Sequence, residues 1–320
     1  MEIGDFEHGA RFVNKLWNSA RFLLRYTSKD AQIEPLDANK LDVASKWLVE
    51  EFAKAADDVE KLLSQFRVNE AINRMYHFTW GSYCDWGLEC AKEALSGSDQ
   101  KAKNQTVSVL VYVFEGILRF FSPVMPFITE ELWHRLPSHP AWQRPESLVI
   151  ADYPDGAKLL RFREAGESWA LVQDLITGIR STRALAQINP KDTVDVHMRA
   201  DVALSKIVMD VGPLVKRLAT VGELRAAPDI KRPGQSLVTI GKGFEAYIPA
   251  SGIIDIAAEK KRLSGERDRV SKVLVGLKAK LDNPNFADRA PEDVVQQTRE
   301  QLTNMTSQLK SLEQNLEALS

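Results

Sequence analysis

The sequence predicts a mainly α-helical protein, in which an antiparallel helical bundle precedes a small α+β domain and a C-terminal antiparallel coiled-coil hairpin. Three observations predict this fold. Apolar residues recur at steps of three and four over most of residues 9–136, which is the period of helices that bury one face. The pattern then alternates at residues 193–200 and gives way to short β-branched runs, as in strands. From Asp255 onward a heptad repeat of apolar residues follows, which is typical of a coiled coil.

Three domains are predicted from the breaks between these patterns. Residues 1–156 form the helical bundle, residues 157–252 the α+β domain and residues 253–320 the coiled-coil hairpin. Within the bundle, the apolar period predicts helices at about residues 9–26, 43–66, 69–95, 105–121 and 127–136. Prolines then mark an irregular crossing, in which the run SLVIADYP predicts a short strand. A chain of 320 residues is long enough for this division.

The first predicted helix has two unlike faces. Its apolar side recurs at steps of one, three and four and is predicted to point inward, with Val13, Leu16, Trp17, Ala20, Leu23 and Leu24. The opposite side has cations and amides and no carboxylate, namely Arg11, Asn14, Asn18, Arg21 and Arg25, with Lys15 beside them. Arginine and lysine only donate hydrogen bonds, whereas asparagine both donates and accepts. Such a side suits a ligand that offers phosphates and base edges together, although a solvated helix face also has this composition.

Composition narrows the classes of function. With 42 Lys and Arg against 44 Asp and Glu, the formal net charge is −2, so any binding of nucleic acid must depend on local basic patches. Cys84 and Cys90 have a spacing that does not fit a zinc site, and two cysteines point to a reducing compartment. No run of about 18 apolar residues occurs, and the N-terminus lacks an apolar signal core. We expect a cytoplasmic protein that binds neither membrane nor DNA.

The sequence contains no catalytic motif. Five histidines are scattered, at positions 8, 77, 134, 139 and 197. There is no Gly-rich phosphate loop, no nucleophile signature and no cluster of metal ligands. Glu130 and Glu131 are adjacent, but neighbouring residues point to different sides of a helix, and acids at a helix start favour its dipole. We therefore expect no catalytic residue, no metal and no cofactor in this chain.

The C-terminal heptads predict two helices of opposite charge. Apolar residues repeat from Ile256 and, after the break DNPNFADRAP, a second series runs from Val295 to Leu319. Residues 256–281 include eight Lys or Arg against three acids, whereas residues 291–320 include two against five. This difference either holds the two helices in register or lets the first helix lie along an RNA backbone. Both interpretations stay open.

Four segments resemble one known family. RFVNKLWNSARF at residues 11–22, FTWGSYCDWGLE at residues 78–89 and SPVMPFITEELWHRLP at residues 122–137 resemble the anticodon-binding helical domain of class I aminoacyl-tRNA synthetases of the valine, isoleucine and leucine group. The tail, with GIIDIAAEKKRLSGE and NPNFADRAPEDVV, resembles the C-terminal arm of bacterial valyl-tRNA synthetases. Isoleucyl enzymes of bacterial type usually end in a cysteine zinc site, which two cysteines cannot build.

The resemblance implies the C-terminal portion of an ATP-dependent ligase that attaches valine to tRNA(Val). The signatures of the family's catalytic domain do not occur in the sequence, so catalysis, editing, ATP and Mg would belong to the full-length parent. The catalytic domain of the same synthetase and tRNA(Val) are then the expected partners. Two alternatives stay open. One is a stand-alone coiled-coil interaction protein, and the other is the equivalent portion of an isoleucyl- or leucyl-tRNA synthetase.

The resemblance also implies roles for single residues. Five are expected to face the anticodon stem and loop: Arg11, Asn14, Lys15, Asn18 and Arg21. Asn18 stands where the related methionine enzymes have an anticodon-reading Asn. Four cations of the hairpin are expected to contact the outer corner of the tRNA: Lys260, Arg267, Lys272 and Lys278.

Overall fold

Helices dominate the described part of the chain, and four strands there form one small sheet. The computed structural model describes residues 3–27, 32–250, 256–283 and 292–318. The chain divides into two compact units, Met1–Ala170 and Leu171–Ser320. The predicted fold class, a helical bundle with a small α+β part and a C-terminal helix pair, is confirmed. The division into three domains stays a prediction.

The first unit contains the predicted bundle. Its helices are α1 (Ile3–Thr27), α2 (Val43–Ser64), α3 (Val68–His77), a π-helix (Phe78–Gly87), α4 (Leu88–Ser96), α5 (Gln100–Phe121) and α6 (Pro126–Arg135). Capping side chains and a proline determine where several of these helices begin. The Asp42 carboxylate accepts a hydrogen bond from the Ser45 N–H at 2.6 Å and caps α2, and Asp99 caps α5 in the same way. Pro126 is the first residue of α6, where no backbone donor is needed.

α5 is the central helix of the bundle. From Asn104 to Phe121 every residue is buried except Tyr112 and Arg119, which are half-buried. Gly116 allows a close approach to α2, because a Cβ at this position would lie 2.0 Å from the Phe52 ring. The apolar run at residues 105–121 therefore predicts both the helix and its burial correctly.

The predicted helix at residues 69–95 is present, but its middle winds as a π-helix. α3, the π-helix and α4 follow one another without a break from Val68 to Ser96. The wider turn, with i to i+5 bonding, buries Tyr83 and Cys84 and leaves Trp80 and Trp86 half-buried. The sequence predicts an ordinary helix because its apolar period carries no sign of the extra residue per turn. π-Turns are frequent at functional sites.

The predicted strand in SLVIADYP is wrong. Leu148–Ile150 forms a single 3₁₀ turn. The Leu148 N–H donates to the Glu130 carboxylate at 3.1 Å instead of to a neighbouring strand, and Val149 and Ile150 are 78% and 70% exposed. β-Branched residues favour a strand only where another strand can pair with them, and the sheet among the described residues does not include this run.

The second unit contains a mixed sheet. After α7 (Arg163–Leu185) come β1 (Val194–Ala200), α8 (Val202–Asp210), α9 (Gly212–Ala219), β2 (Val221–Ala226), β3 (Ser236–Gly241) and β4 (Phe244–Pro249). The strand order is β2-β1-β4-β3, with β1 and β2 parallel and the other pairs antiparallel. The alternating run at residues 193–200 and the short β-branched runs after it are strands, as predicted, while residues 202–219 form two helices that are separated at Val211.

The C-terminal helix pair consists of α10 (Ile256–Leu281) and α11 (Glu292–Ala318). The two helices pack along each other. Of the predicted heptad positions, Leu263, Val270, Leu274, Val295 and Leu312 are buried, and Leu319 lies outside the described residues. At about 1.5 Å per residue, α10 is roughly 39 Å long. None of the helices in the described ranges is long and apolar enough to cross a membrane.

Candidate nucleic-acid interface

α1 buries one side and exposes another. Its buried residues, where burial is described, are Phe12, Leu16, Ser19, Ala20 and Leu23. The predicted inward side is buried at Leu16, Ala20 and Leu23 but not at three other positions: Val13 and Leu24 are half-buried, and Trp17 is 36% exposed. Phe12 takes the inward place because its ring packs 5.1 Å from the ring of Tyr76 and 4.8 Å from that of Phe121.

The predicted binding residues of α1 share its outward side. Arg11, Asn14, Asn18 and Arg21 are exposed and Lys15 is half-buried. We call these five residues the α1 polar surface. In the part of the chain that the structure describes, no hydrogen bond or ion pair engages the side chains of Asn14, Asn18 and Arg21. Their donors and acceptors are therefore available to a ligand.

The two other cations of the α1 polar surface have carboxylate partners. Arg11 pairs with Glu7 at 3.0 Å, and both side chains are more than half exposed. Lys15 pairs with Asp85 of the π-helix at 2.9 Å and lies 4.8 Å from the centre of the Trp80 ring. Sequence reasoning missed Asp85 and Trp80. They are about 70 residues from Lys15, and only the fold brings them to the edge of the α1 polar surface.

On the other flank, Trp17 lies against α6. The Arg135 guanidinium lies 5.7 Å from the centre of the Trp17 ring. Glu131, one turn earlier in α6, holds that guanidinium with a hydrogen bond of 2.6 Å from Nε. The α1 polar surface thus has a cation beside a tryptophan ring on each flank, and each of these cations has a carboxylate partner.

Glu130 and Glu131 serve separate contacts. Glu130 accepts from the Leu148 N–H and pairs with His134 at 3.0 Å, while Glu131 pairs with Arg135. Each carboxylate therefore has its own partners in the fold. The two do not converge on a common reacting position.

The cysteine nearest the α1 polar surface is not a reactive thiol. Cys84 is buried, and burial raises the pKa of its thiol to about 11, so the nucleophilic thiolate is rare at neutral pH. Its sulfur lies 3.2 Å from the Ser19 hydroxyl on the buried side of α1. Across the described residues, no group of three or more His, Cys, Asp or Glu side chains is arranged to hold a metal ion.

The predicted cations of α10 differ in availability. Lys272 and Lys278 are exposed, while Lys260 and Arg267 are half-buried. Arg267 pairs with Asp268 of its own helix at 2.6 Å, and Arg269 pairs with Glu266. Among the described residues, no ion pair joins Lys260, Lys272 or Lys278 to α11. Within the described ranges, charge contacts between the two helices are thus absent at these three lysines.

The helix pair is attached to the α+β part of its unit at one end. Near the start of α10, Arg262 donates to the Leu185 carbonyl. Near the end of α11, the buried Asn315 accepts from the Val238 N–H of β3 at 2.9 Å. Because the first residues of one helix and the last of the other meet the same domain, the helices are antiparallel.

Two family models match the chain. The model of the anticodon-binding domain of tRNA ligases matches residues 45–198, and the model of the valyl-tRNA synthetase tRNA binding arm matches residues 255–320. The first match begins at α2, so α1 and its polar surface precede it. The second match covers α10 and α11.

Similar proteins agree with both models. The valine–tRNA ligases of Syntrophotalea carbinolica and Geobacter sulfurreducens are each 32% identical to the chain over 96% of its length. That of Latilactobacillus sakei subsp. sakei is 33% identical, also over 96%. The chain spans about a third of their lengths, 34%, 35% and 35%, and it matches their C-terminal regions. With an anticodon-binding domain followed by a valyl-type arm, the chain corresponds to the C-terminal part of valine–tRNA ligases.

Proposed function

We propose that this chain binds tRNA(Val) and positions it for the attachment of valine. The bundle receives the anticodon stem and loop at the α1 polar surface, and the helix pair contacts the outer corner of the folded RNA. The observation that carries the proposal is the exposed side of α1, where Asn14, Asn18 and Arg21 have no partner among the described residues. An unpaired amide surrounded by cations offers both kinds of hydrogen-bonding group that an RNA loop requires.

The side chains of the α1 polar surface differ in the part of the RNA that they can bind. Arg11 and Arg21 donate to phosphates, which gives affinity without reading sequence. Asn18 can pair with a base edge through its donor and its acceptor together. The Arg11–Glu7 pair does not prevent phosphate binding, since an exposed ion pair contributes only about 0–1 kcal/mol. Lys15 and Asp85 add a donor and an acceptor at the edge of the same surface.

The α10 cations supply the second contact. Lys272 and Lys278 project from a helix pair that is attached at its other end, close to Leu185 and Val238. An attached, elongated pair of helices can hold charges at a fixed distance from the domain that carries it. Contacts at both the anticodon loop and the outer corner of an L-shaped RNA would hold it better than either contact alone.

The reaction itself belongs to a catalytic domain of the same synthetase, which is the proposed protein partner. ATP and Mg would act there, and we propose no cofactor for the present chain. The named relatives are ligases that are about three times as long. A cytoplasmic location goes with this role, and free cysteines fit a reducing compartment.

Gel-shift titration of the chain with transcribed tRNA(Val) and two other tRNAs tests the proposal. We expect preferential binding of tRNA(Val). Asn18→Ala should bring the three affinities closer together, because a base contact carries discrimination, whereas Arg11→Ala should weaken all three alike. Lys46→Ala, on α2, is the control for a lost surface cation. The base-reading role is wrong if Asn18→Ala keeps the wild-type preference.

The same titration tests the alternative function. A stand-alone interaction protein would ignore all three tRNAs at moderate ionic strength. Affinity purification of the chain from cells would then recover a protein as its main companion, where the present proposal expects tRNA.

A further inference from the structure

Trp17 occupies an unusual position for a tryptophan. All seven tryptophans lie in the described ranges, and Trp17 is the only one that is exposed, with 36% of its surface accessible. The apolar period of α1 predicts it to be inward. Burying an aromatic side chain is favourable by a few kcal/mol, so the position of Trp17 gives up part of the stabilisation that a core position would provide.

Trp17 lies next to the α1 polar surface. Each residue of an α-helix turns the side chain by about 100°, which places Trp17 about 40° from Arg21 and about 60° from Asn14 around the helix axis. A molecule that binds Asn14 and Arg21 therefore passes close to the indole. No carboxylate of α1 itself lies on this flank, since α1 has none after Glu7.

Arg135 lies beside the Trp17 indole, and its planar guanidinium is accessible to a ligand. Its guanidinium is 5.7 Å from the centre of the Trp17 ring, and its side chain remains 54% exposed. The hydrogen bond from Nε to Glu131 fixes its orientation. A cation–aromatic contact of this kind contributes about 0.5–1 kcal/mol at an exposed site. A guanidinium that is held by Glu131 and an exposed indole thus lie together beside the α1 polar surface.

We propose that Trp17 and Arg135 form a stacking platform for an unpaired base of the RNA loop. Bases of single-stranded loops stack on tryptophan rings and on guanidinium planes, and such stacking tolerates any base because every base has a π face. The platform would hold a neighbouring base in place while Asn18 reads the edge of another. This inference rests on the proposed function and adds two positioning residues to the same site.

The test uses the full chain and a stem-loop RNA with a valine anticodon, in which the fluorescent adenine analogue aminopurine replaces each unpaired loop base in turn. Stacking quenches its emission. We expect quenching at one loop position with the wild-type chain and none there with Trp17→Leu. The affinity for the unlabelled hairpin should fall about 5-fold to 150-fold in Trp17→Leu, the range for one lost base stack, and less in Trp17→Phe.

Arg135→Lys separates stacking from charge. This substitution keeps the positive charge and removes the planar guanidinium. If the guanidinium stacks on a base, binding should weaken while its salt dependence stays unchanged. If only the charge matters, binding should stay unchanged. Phe162→Leu is the matched control, because Phe162 lies 6.0 Å from the Lys46 ammonium in a similar cation–aromatic pair away from α1. Its affinity should equal that of the wild type.

The outcomes distinguish the two proposals. If the wild-type chain binds the hairpin and Trp17→Leu binds it equally well, with the same quenching at every position, the platform is refuted and the proposed function stands. If the wild-type chain does not bind the hairpin, both are refuted. Circular dichroism melting of each variant reports folding, and if Trp17→Leu does not fold, Trp17→Phe and Arg135→Lys decide the question.

Discussion

The salt dependence of RNA binding gives the sharpest test of the α10 cations. The perturbation reverses Lys260, Arg267, Lys272 and Lys278 to Glu in one variant. Each cation that neutralises a phosphate releases counterions and contributes about 0.7–0.9 to the slope of log affinity against log salt. The slope therefore counts the contacts that the variant has lost.

The structure sets the expected size of the change. Lys260, Lys272 and Lys278 have no ion-pair partner in the described part of the helix pair, whereas Arg267 already pairs with Asp268. The three lysines should contribute full contacts, and Arg267 less than one, because a phosphate would displace a carboxylate there. We expect the slope to become shallower by about 2–3 and the affinity to fall about 100-fold at about 0.1 M salt.

Filter binding of tRNA(Val) over a series of salt concentrations measures both quantities. The matched control reverses Arg299 and Lys310 of α11, which are also exposed cations of the helix pair, and should leave the slope nearly unchanged. The alternative role of the charges, holding the helices in register, makes the opposite prediction. If the α10 variant melts at a clearly lower temperature while its slope matches that of the wild type, the RNA contact is refuted.

Three further predictions concern the first unit and the helix pair. Glu34 accepts hydrogen bonds from Asn104 at 2.7 Å and Gln105 at 2.6 Å, which lower the pKa of its carboxyl. The lowered pKa stabilises the fold above pH 4.5, the ordinary pKa of Glu, and this stabilisation is lost as pH falls through the folded value. Glu34→Gln should thus lower the melting temperature at pH 7 and have little effect near pH 3, and a pH-independent difference would contradict this. Gly276→Ala should stabilise the helix pair by about 0.5–1 kcal/mol in urea unfolding, because a Cβ there has open space and alanine favours helix. In the same filter-binding series, Asp85→Asn should strengthen binding of the non-valine tRNAs most and steepen the salt slope by up to about 1, because it frees Lys15 for a phosphate and removes the carboxylate that disfavours the wrong ligands.

The helices with a periodic apolar pattern could be predicted from the sequence alone. The run that includes Val107 and Ile117 predicts a buried helix because its apolar residues lie on all sides of the helix. The heptads predict that Leu263, Val270 and Leu312 are contacts of a helix pair, and all three are buried. Local periodicity carries this information because α-helical burial repeats every 3.6 residues. The exact rotation of α1 was not predictable in the same way. Apolar residues cover a wide arc of that helix, and the rings of Tyr76 and Phe121 select Phe12 as its inward residue.

Features that depend on partners distant in sequence were missed. Nothing near Lys15 indicates Asp85 as its partner, and nothing in the apolar period indicates that residues 78–87 widen into a π-helix. Asn315 is a polar residue directly before the heptad position Leu316, and its burial is explained by the Val238 N–H, which needs an acceptor there. The polar side of α1 could be predicted as a surface, but not which of its cations are already paired.

The side chains of the proposed interface differ in whether they already have a partner within the protein. Arg21, Asn14 and Asn18 are exposed without partners in the described residues, whereas Lys15 is restrained by Asp85. A surface that has only free cations binds any RNA, since phosphates are the same in every sequence. A carboxylate beside Lys15 weakens that general attraction and favours a ligand that offers a hydrogen-bond donor to Asp85 as well as an acceptor to Lys15. Specificity then comes partly from the groups that repel the wrong ligand. The restraint on Lys15 is therefore a reason to include Asp85 in the recognition surface, because base edges carry donors and phosphates do not.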